Sequence, residues 1–322
     1  MYEPGPQELL IRNELIALHP VEAKMAQMNV PPIEYPAIIG VSLGGTVTAI
    51  GSKITGFQVG DEVAAFSLRS SSNEYGSYQK YALVKAETAS LLLDGVDLPM
   101  AVSCIGNLGA VVGLLGGRAG IPRPALDRST PSSGKAVLVY GGTSSFGSLA
   151  VQYLSLAGYT VVTTTSAKHH AFVSKLGPSH IVDHNQAPDT IIGALKSLGP
   201  FDLVVDAISL PHTVRITSEV LAHQGGGKVY TVLPAFGPES LPDGVIREFG
   251  SWPHVLAEDE NSELQEWTFN TYLTQGLANG TILPHPTELA HGGLSGLEAA
   301  LNRLSGGVSC LKLLIDPQET PN

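Results

Sequence analysis

Gly141-Gly142-Thr143-Ser144-Ser145-Phe146-Gly147 follows directly on the uninterrupted apolar run Ala136-Val137-Leu138-Val139-Tyr140. Phe146, Leu149, Ala150, Tyr153, Leu154 and Ala157 then recur at helical spacing, and Gly158 stands where a helix would stop. Strand, glycine turn and helix in that order can hold a pyrophosphate. The glycines let backbone approach it, while the free N–H groups and positive dipole end of a helix starting near Ser145 attract its charge. The spacing departs from G-x-G-x-x-G, because Ser144 takes the middle position between Gly142 and Gly147. The flanking strand and helix supply the context the motif needs.

A second strand, Thr160 to Thr164, returns beside the first and runs into Thr163-Thr164-Thr165-Ser166-Ala167-Lys168. A dinucleotide with a free ribose 2′-hydroxyl is usually met there by Asp or Glu. Hydroxyls and a cation without a carboxylate suit a 2′-phosphate instead, so the residues point to NADPH. The alternative is that Ser166 caps the next helix and Lys168 is a solvated first-turn residue.

These residues must be carried by larger elements. The 322 residues suffice for two domains, and 43% apolar residues with 36 glycines is a globular, turn-rich composition. A net charge of −11 with 18 Lys and Arg excludes a general phosphate-backbone binder, so no nucleic-acid partner is expected. Cys104 and Cys310 are too few for a disulfide framework or a four-cysteine zinc lobe. Ten histidines come without a Gly-His-Glu motif or a cysteine cluster, so no metal is expected either. Without a cationic, apolar leader the expected compartment is the cytoplasm. Leu98 to Gly117 is uncharged and of spanning length, but Pro99, Ser103, Asn107 and its glycines predict a helix buried at a domain junction, not a membrane span.

Glu8 to Ile16, Val47 to Gly51, Val59 to Phe66 and a strand pair over Tyr75 to Val84 predict a β-rich, glycine-punctuated domain, with Tyr78 and Tyr81 as packed strand residues. Arg118 to Lys135, with Pro122, Pro124 and Pro131, reads as a surface loop leading into the next domain. Five apolar runs then alternate with helices: Ala136 to Tyr140, Thr160 to Thr164, His180 to Asp183, Phe201 to Asp206 and Lys228 to Leu233. That alternation predicts an α/β fold with a doubly wound parallel sheet. A helix from Glu263 to Ala278, another from Gly296 to Leu304 and a last strand, Cys310 to Ile315, complete the chain. The expected division is a discontinuous β-rich domain of residues 1–108 with 281–322, and a dinucleotide-binding Rossmann domain of residues 109–280.

With P-G-P-x-E-L-L-I-R-N, G-x-x-x-G-G-T-V, V-G-D-E-V, L-V-Y-G-G-T-S-S-F-G and V-V-T-T-T-S-A-K-H-H-A-F-V-S-K-L-G, nearly the whole chain resembles the zinc-free medium-chain dehydrogenases/reductases. Within them it is most similar to the quinone oxidoreductase and fungal trans-acting enoyl reductase branch. The resemblance implies a GroES-like substrate domain and an NADPH site made by Gly142, Thr143, Ser144, Ser145, Phe146, Ser166, Lys168, His184, Val232 and Leu233. His184 replaces a family tyrosine near the adenosine pocket. The family's N-P-x-D-W-K appears as His19-Pro20-Val21-Glu22-Ala23-Lys24, keeping the lysine and changing asparagine, aspartate and tryptophan. G-x-D-F-A-G has become Gly40-x-Ser42-Leu43-Gly44-Gly45, and Gly109 stands where a threonine is frequent.

The implied chemistry is hydride transfer to the β-carbon of an activated alkene, in an enoyl thioester, enone or quinone, in fungal secondary metabolism of the polyketide kind. Lys24 is the candidate donor to the enolate oxygen and His19 a second candidate. The altered residues keep open an NADPH-binding scaffold without net redox, an isomerase, cyclase or sensor. The expected partner is a small-molecule substrate, free or tethered to a carrier protein, acting on a monomer or homodimer.

Overall fold

The computed structural model describes residues 2–68 and 72–320. Contacts divide the chain into one unit of Met1–Val112 with Leu256–Asn322 and a second of Gly113–Val255. The first begins with strand β1 (Glu8–Ala17), helix α1 (Pro20–Met28), β2 (Ser42–Ile50), β3 (Glu62–Phe66), β4 (Tyr81–Lys85), β5 (Ala89–Leu91) and α2 (Leu98–Val112). The second alternates β6 (Ala136–Tyr140), α3 (Ser145–Leu156), β7 (Thr160–Thr165), α4 (His170–Ser174), β8 (His180–Asp183), α5 (Pro188–Leu198), β9 (Leu203–Asp206), α6 (Pro211–His223), β10 (Gly227–Thr231) and β11 (Val245–Phe249). After α7 (Trp252–Leu256) come α8 (Ser262–Trp267), α9 (Thr274–Ala278), β12 (Thr287–Ala290), α10 (Leu297–Ser305) and β13 (Lys312–Ile315).

In the first unit seven strands share one sheet, in the order β12-β13-β1-β2-β3-β5, with β4 paired to β1. Leu9, Ile11, Leu43, Val47, Val63, Ala82 and Val84 fill its core. The antiparallel register of β1 on β13 pairs Ile16 with Ile315 and Ala17 with Leu314, and Leu18 N donates to Leu313 O at 3.0 Å. That register brings His19 beside Lys312. The apolar helix expected over Leu98 to Gly117 is present, running on through a π-helical turn to Arg118, and α2 packs on β1, β2 and β3.

The second unit is the expected parallel sheet, six strands in the order β11-β10-β9-β6-β7-β8, which is the doubly wound arrangement. β6 is hydrogen-bonded along both edges to β7 and β9 and its side chains from Val137 to Tyr140 are buried, so its apolar sequence is that of a strand covered on both faces. Leu138, Val162, Val204 and Val229 from four strands meet Ile192, Leu195, Ile216 and Val220 from α5 and α6 in one core.

Three expectations are corrected. The strand pair over Tyr75 to Val84 is only β4, since the amide of the buried Asn13 takes the carbonyls of Ser77 and Gln79 at 2.7 and 3.0 Å and holds that segment off the ladder. Tyr78 is therefore not a strand residue. A sixth parallel strand, β11, went unforeseen because Arg247 and Glu248 interrupt its apolar pattern, paired with Glu239 and with Lys228 respectively. Residues 256–280 belong to the first unit, not the second: the π-helical turn between α8 and α9 packs on α2 and β5, α9 packs on α2, α8 packs on the turn Ala86–Thr88, and Ser90 Oγ donates to Phe269 O at 2.7 Å.

Leu138, fully buried at the centre of the sheet, should be costly to truncate. Leu138→Ala is expected to lower unfolding free energy by about 2–5 kcal/mol in urea titration, through lost burial and a residual cavity.

Candidate functional site

The glycine turn forms as its residues demand. Gly141 has φ +93, which a side chain would strain, and its N–H donates to Thr164 Oγ1 at 2.9 Å. Gly142 N donates to Thr164 O at 2.9 Å, and a β-carbon on Gly142 would fall 2.5 Å from Thr163 Oγ1. Two threonines of β7 thus fix the turn after β6. Ser144 is the N-cap of α3: its hydroxyl accepts from Gly147 N at 2.9 Å and donates to Gly141 O at 3.0 Å. The serine that breaks the glycine motif closes the turn with its own side chain. The first-turn N–H groups of Ser145 and Phe146 take no hydrogen bond among the described residues, so two donors at the positive end of the helix stay open. That arrangement fits a pyrophosphate.

Because the sheet is parallel, the segments after β6, β7, β8 and β10 all leave its carboxyl edge, and they carry Gly142, Ser166, Lys168, His184, Val232 and Leu233. Ser166 is buried and Lys168 exposed in the turn before α4; Ser166 N-caps that turn without a side-chain cap bond, so its hydroxyl is not spent there. His184 N donates to Thr165 O at 3.1 Å. Burial first lowers the His184 pKa, with His169 and His212 adding to this and Asp183 opposing it. Val232 and Leu233 lie just beyond β10, which ends at Thr231, not at Leu233. Val232 N is taken by Ser209 Oγ at 2.8 Å and Leu233 O by Arg247 at 2.8 Å.

The other two expected residues lie on the first unit. Lys24 is half-buried on α1, and burial holds its pKa below the ordinary lysine range. His19 is the N-cap residue of α1 and is buried, with burial first and the Lys312 charge second pulling its pKa well down. Its Nε2 lies 2.7 Å from Ser42 Oγ and its Nδ1 3.1 Å from Lys312 Nζ. Glu22, fully buried, accepts from His19 N at 2.6 Å, Val41 N at 2.9 Å and the Tyr78 hydroxyl at 2.8 Å. Burial pushes its pKa up, while those donors and Lys312 oppose the rise. Lys312 itself is brought down to about 8, mainly by burial, with Glu22 and Cys104 working against it.

Sequence reasoning missed Glu22 and Lys312. The available signal was a lysine inside Leu311-Lys312-Leu313-Leu314-Ile315, a charge in a strand that had to be buried. Gly109, at the position where a threonine was expected, faces Phe66 and Phe269. Among the described residues no three His, Cys, Asp or Glu side chains form a group able to hold a metal. A cavity of about 300 Å³ in the second unit is lined by Lys135, Tyr159, Asp202 and Lys228 at the amino ends of the strands. Open α/β sheets bind nucleotides at the opposite edge, so this cavity is not the cradle.

Residues 5–94 match the alcohol dehydrogenase GroES-like domain. A trans-enoyl reductase of Aspergillus japonicus is 30% identical over 314 residues, covering 96% of this chain and 89% of that one. An alcohol dehydrogenase superfamily protein from Novosphingobium aromaticivorans shares the fold with a TM-score of 0.78 at 20% identity, over 98% of this chain and 93% of that one. A mycobacterial protein solved in complex with NADPH does so with a TM-score of 0.74 at 21% identity, over 98% and 93%. The chain belongs to the medium-chain dehydrogenase/reductase family, in its enoyl reductase and quinone oxidoreductase branch, and is an oxidoreductase of that kind.

Gly106 of α2 leaves the room for the buried polar group, since a β-carbon there would lie 2.2 Å from Ser42 Oγ and 2.8 Å from His19 Cε1. Gly106→Ala is expected to destabilise the protein by about 1–3 kcal/mol in thermal or urea unfolding, despite alanine's better helix propensity.

Proposed function

We propose that the protein is an NADPH-dependent, metal-free reductase of activated carbon–carbon double bonds, with an enoyl thioester, enone or quinone as substrate, acting in fungal secondary metabolism. The carbon–carbon double bond is supported by the trans-enoyl reductase relative. The observation that carries the cofactor assignment is the end of β7, where Thr165, Ser166 and Lys168 stand without a carboxylate beyond a cradle whose Ser145 and Phe146 N–H groups are open.

A bound NADPH would supply the hydride. The chain's own residues would do the rest: Ser145 and Phe146 hold the pyrophosphate, with Gly142 and Thr143 allowing its approach, and Lys168 and Ser166 meet the 2′-phosphate. His184, Val232 and Leu233 border the cofactor at the same sheet edge. Lys24 donates to the oxygen that gains charge as the β-carbon is reduced, a role that its lowered pKa suits because a less basic ammonium gives up its proton more readily. His19, buried and already bonded through both ring nitrogens, is a weaker candidate for that donor. A small-molecule substrate, free or carrier-tethered, is the partner this chemistry requires.

The cofactor assignment is tested by titration calorimetry. Lys168→Ala should weaken NADPH binding by about 1.5–3 kcal/mol, roughly ten- to over a hundredfold in Kd, and leave NADH binding unchanged. Equal affinity of the wild type for both cofactors would overturn it.

The role of Lys24 is read from turnover and affinity on one variant. Lys24→Ala should lower single-turnover hydride transfer by about 2.7–4 kcal/mol of transition-state stabilisation, a hundredfold or more, with NADPH affinity retained. Weakened NADPH binding at unchanged saturated turnover would instead make Lys24 a cofactor anchor. A wild type that binds NADPH yet oxidises it with no alkene, quinone or enoyl thioester would favour the non-redox scaffold.

A further inference from the structure

The first unit buries a polar chain that the donor role assigned to Lys24 does not draw on. Lys312, on β13, is 3% exposed, and His19, Glu22 and Ser42 around it are 6%, 0% and 0% exposed. A lysine is almost never buried to that extent without a partner of opposite charge. The groups facing it are His19 and Glu22 from the start of α1, Ser42 of β2 and Cys104 of α2, with Tyr78 bonded to the same carboxylate. Glu22 accepts three hydrogen bonds from N–H and O–H donors, an environment that favours its ionised form. With Glu22 ionised, its charge favours the ammonium form of Lys312 against the effect of burial.

The position of the protons along the chain follows. An ammonium has three donors and no lone pair, so in the 3.1 Å contact Lys312 Nζ donates and His19 Nδ1 accepts. A nitrogen that accepts carries no proton; in the neutral ring the proton is then on Nε2, which donates to Ser42 Oγ at 2.7 Å. His19 is thereby a fixed strut between β13 and β2, with both ring nitrogens already engaged inside the protein. Glu22 ties the same turn through His19 N and Val41 N. We propose that Lys312 is a positioning residue for the first turn of α1, the helix that carries Lys24: by donating to His19 Nδ1 it selects the Nε2–H tautomer that binds Ser42. Its bearing on catalysis rests on the donor role assigned to Lys24 above, but the tautomer itself does not.

The test is the tautomer of His19, read by ¹⁵N-edited NMR of ring nitrogens in the substrate-free full chain, with His19→Gln identifying the signal by its loss. Below the Lys312 pKa of about 8, the wild type should show one tautomer, protonated on Nε2. Lys312→Met should abolish that single pattern, giving exchange between tautomers or a ring that protonates at higher pH. Ser42→Ala should keep the Nε2–H pattern, because Lys312 still occupies Nδ1, and this second variant decides the matter if Lys312→Met does not fold. A wild-type ring protonated on Nδ1, an unchanged pattern in folded Lys312→Met, or a lost preference in Ser42→Ala would each overturn the proposal. None of these readings involves NADPH or an alkene, so failure here is distinct from failure of the reductase assignment.

Discussion

A carboxylate with no access to water organises the first unit. Glu22 meets the N–H groups of His19 and Val41 and the hydroxyl of Tyr78, joining the first turn of α1, the approach to β2 and the approach to β4. An unpaired charge so placed would be prohibitively costly, so the carboxylate dictates what surrounds it. The lysine on β13 answers its charge, and the antiparallel pairing of β1 with β13 sets that lysine opposite His19. The C-terminal strand is therefore bound to the N-terminal one by electrostatics as well as by the ladder. Truncating either partner alone would leave the other charge buried, whereas the pair together is tolerated.

The second unit depends on a different constraint, the backbone accounting of a tight turn. Gly141 and Gly142 would have buried N–H groups without partners if β7 did not offer Thr164 through both its hydroxyl and its carbonyl. Ser144 then spends its hydroxyl on the first turn of α3 and on Gly141 O. The result is economical. Internal partners satisfy the turn, while the N–H groups that remain open point to a ligand with negative charge.

Two of the altered positions, His19 and Ser42, acquire a physical account together. Where the motif resemblance would place asparagine and aspartate, this chain has His19 and Ser42, and the two side chains bond each other at 2.7 Å. Gly106 makes the space for both, which a larger residue on α2 would deny. His19 and Ser42 thus form one buried polar group. That explains how the surrounding fold is kept although charged and amide groups have been exchanged.

The sequence alone determined five of the six strands of the parallel-sheet unit, because their signals are local. An apolar run next to a glycine turn, helical spacing after it and threonines before Lys168 are read along a few consecutive residues, and β6, α3, β7 and β8 formed where those patterns lie. What the sequence could not decide were placements that depend on residues far apart in the chain. Helical periodicity over 262–278 gives a helix but not the sheet it packs on, and only contact with α2 and β5 assigned it to the first unit. β11 became a strand because β10 offered a ladder and because Glu239, Lys228 and Arg118 neutralise its charges, neither of which a linear pattern records. Lys312 lies 293 residues from His19 along the chain, and their contact exists only through the β1–β13 register. The apolar run around Lys312 announces its burial but not its partner, and a glutamate in a first helical turn looks like a solvated charge until tertiary structure takes away the water.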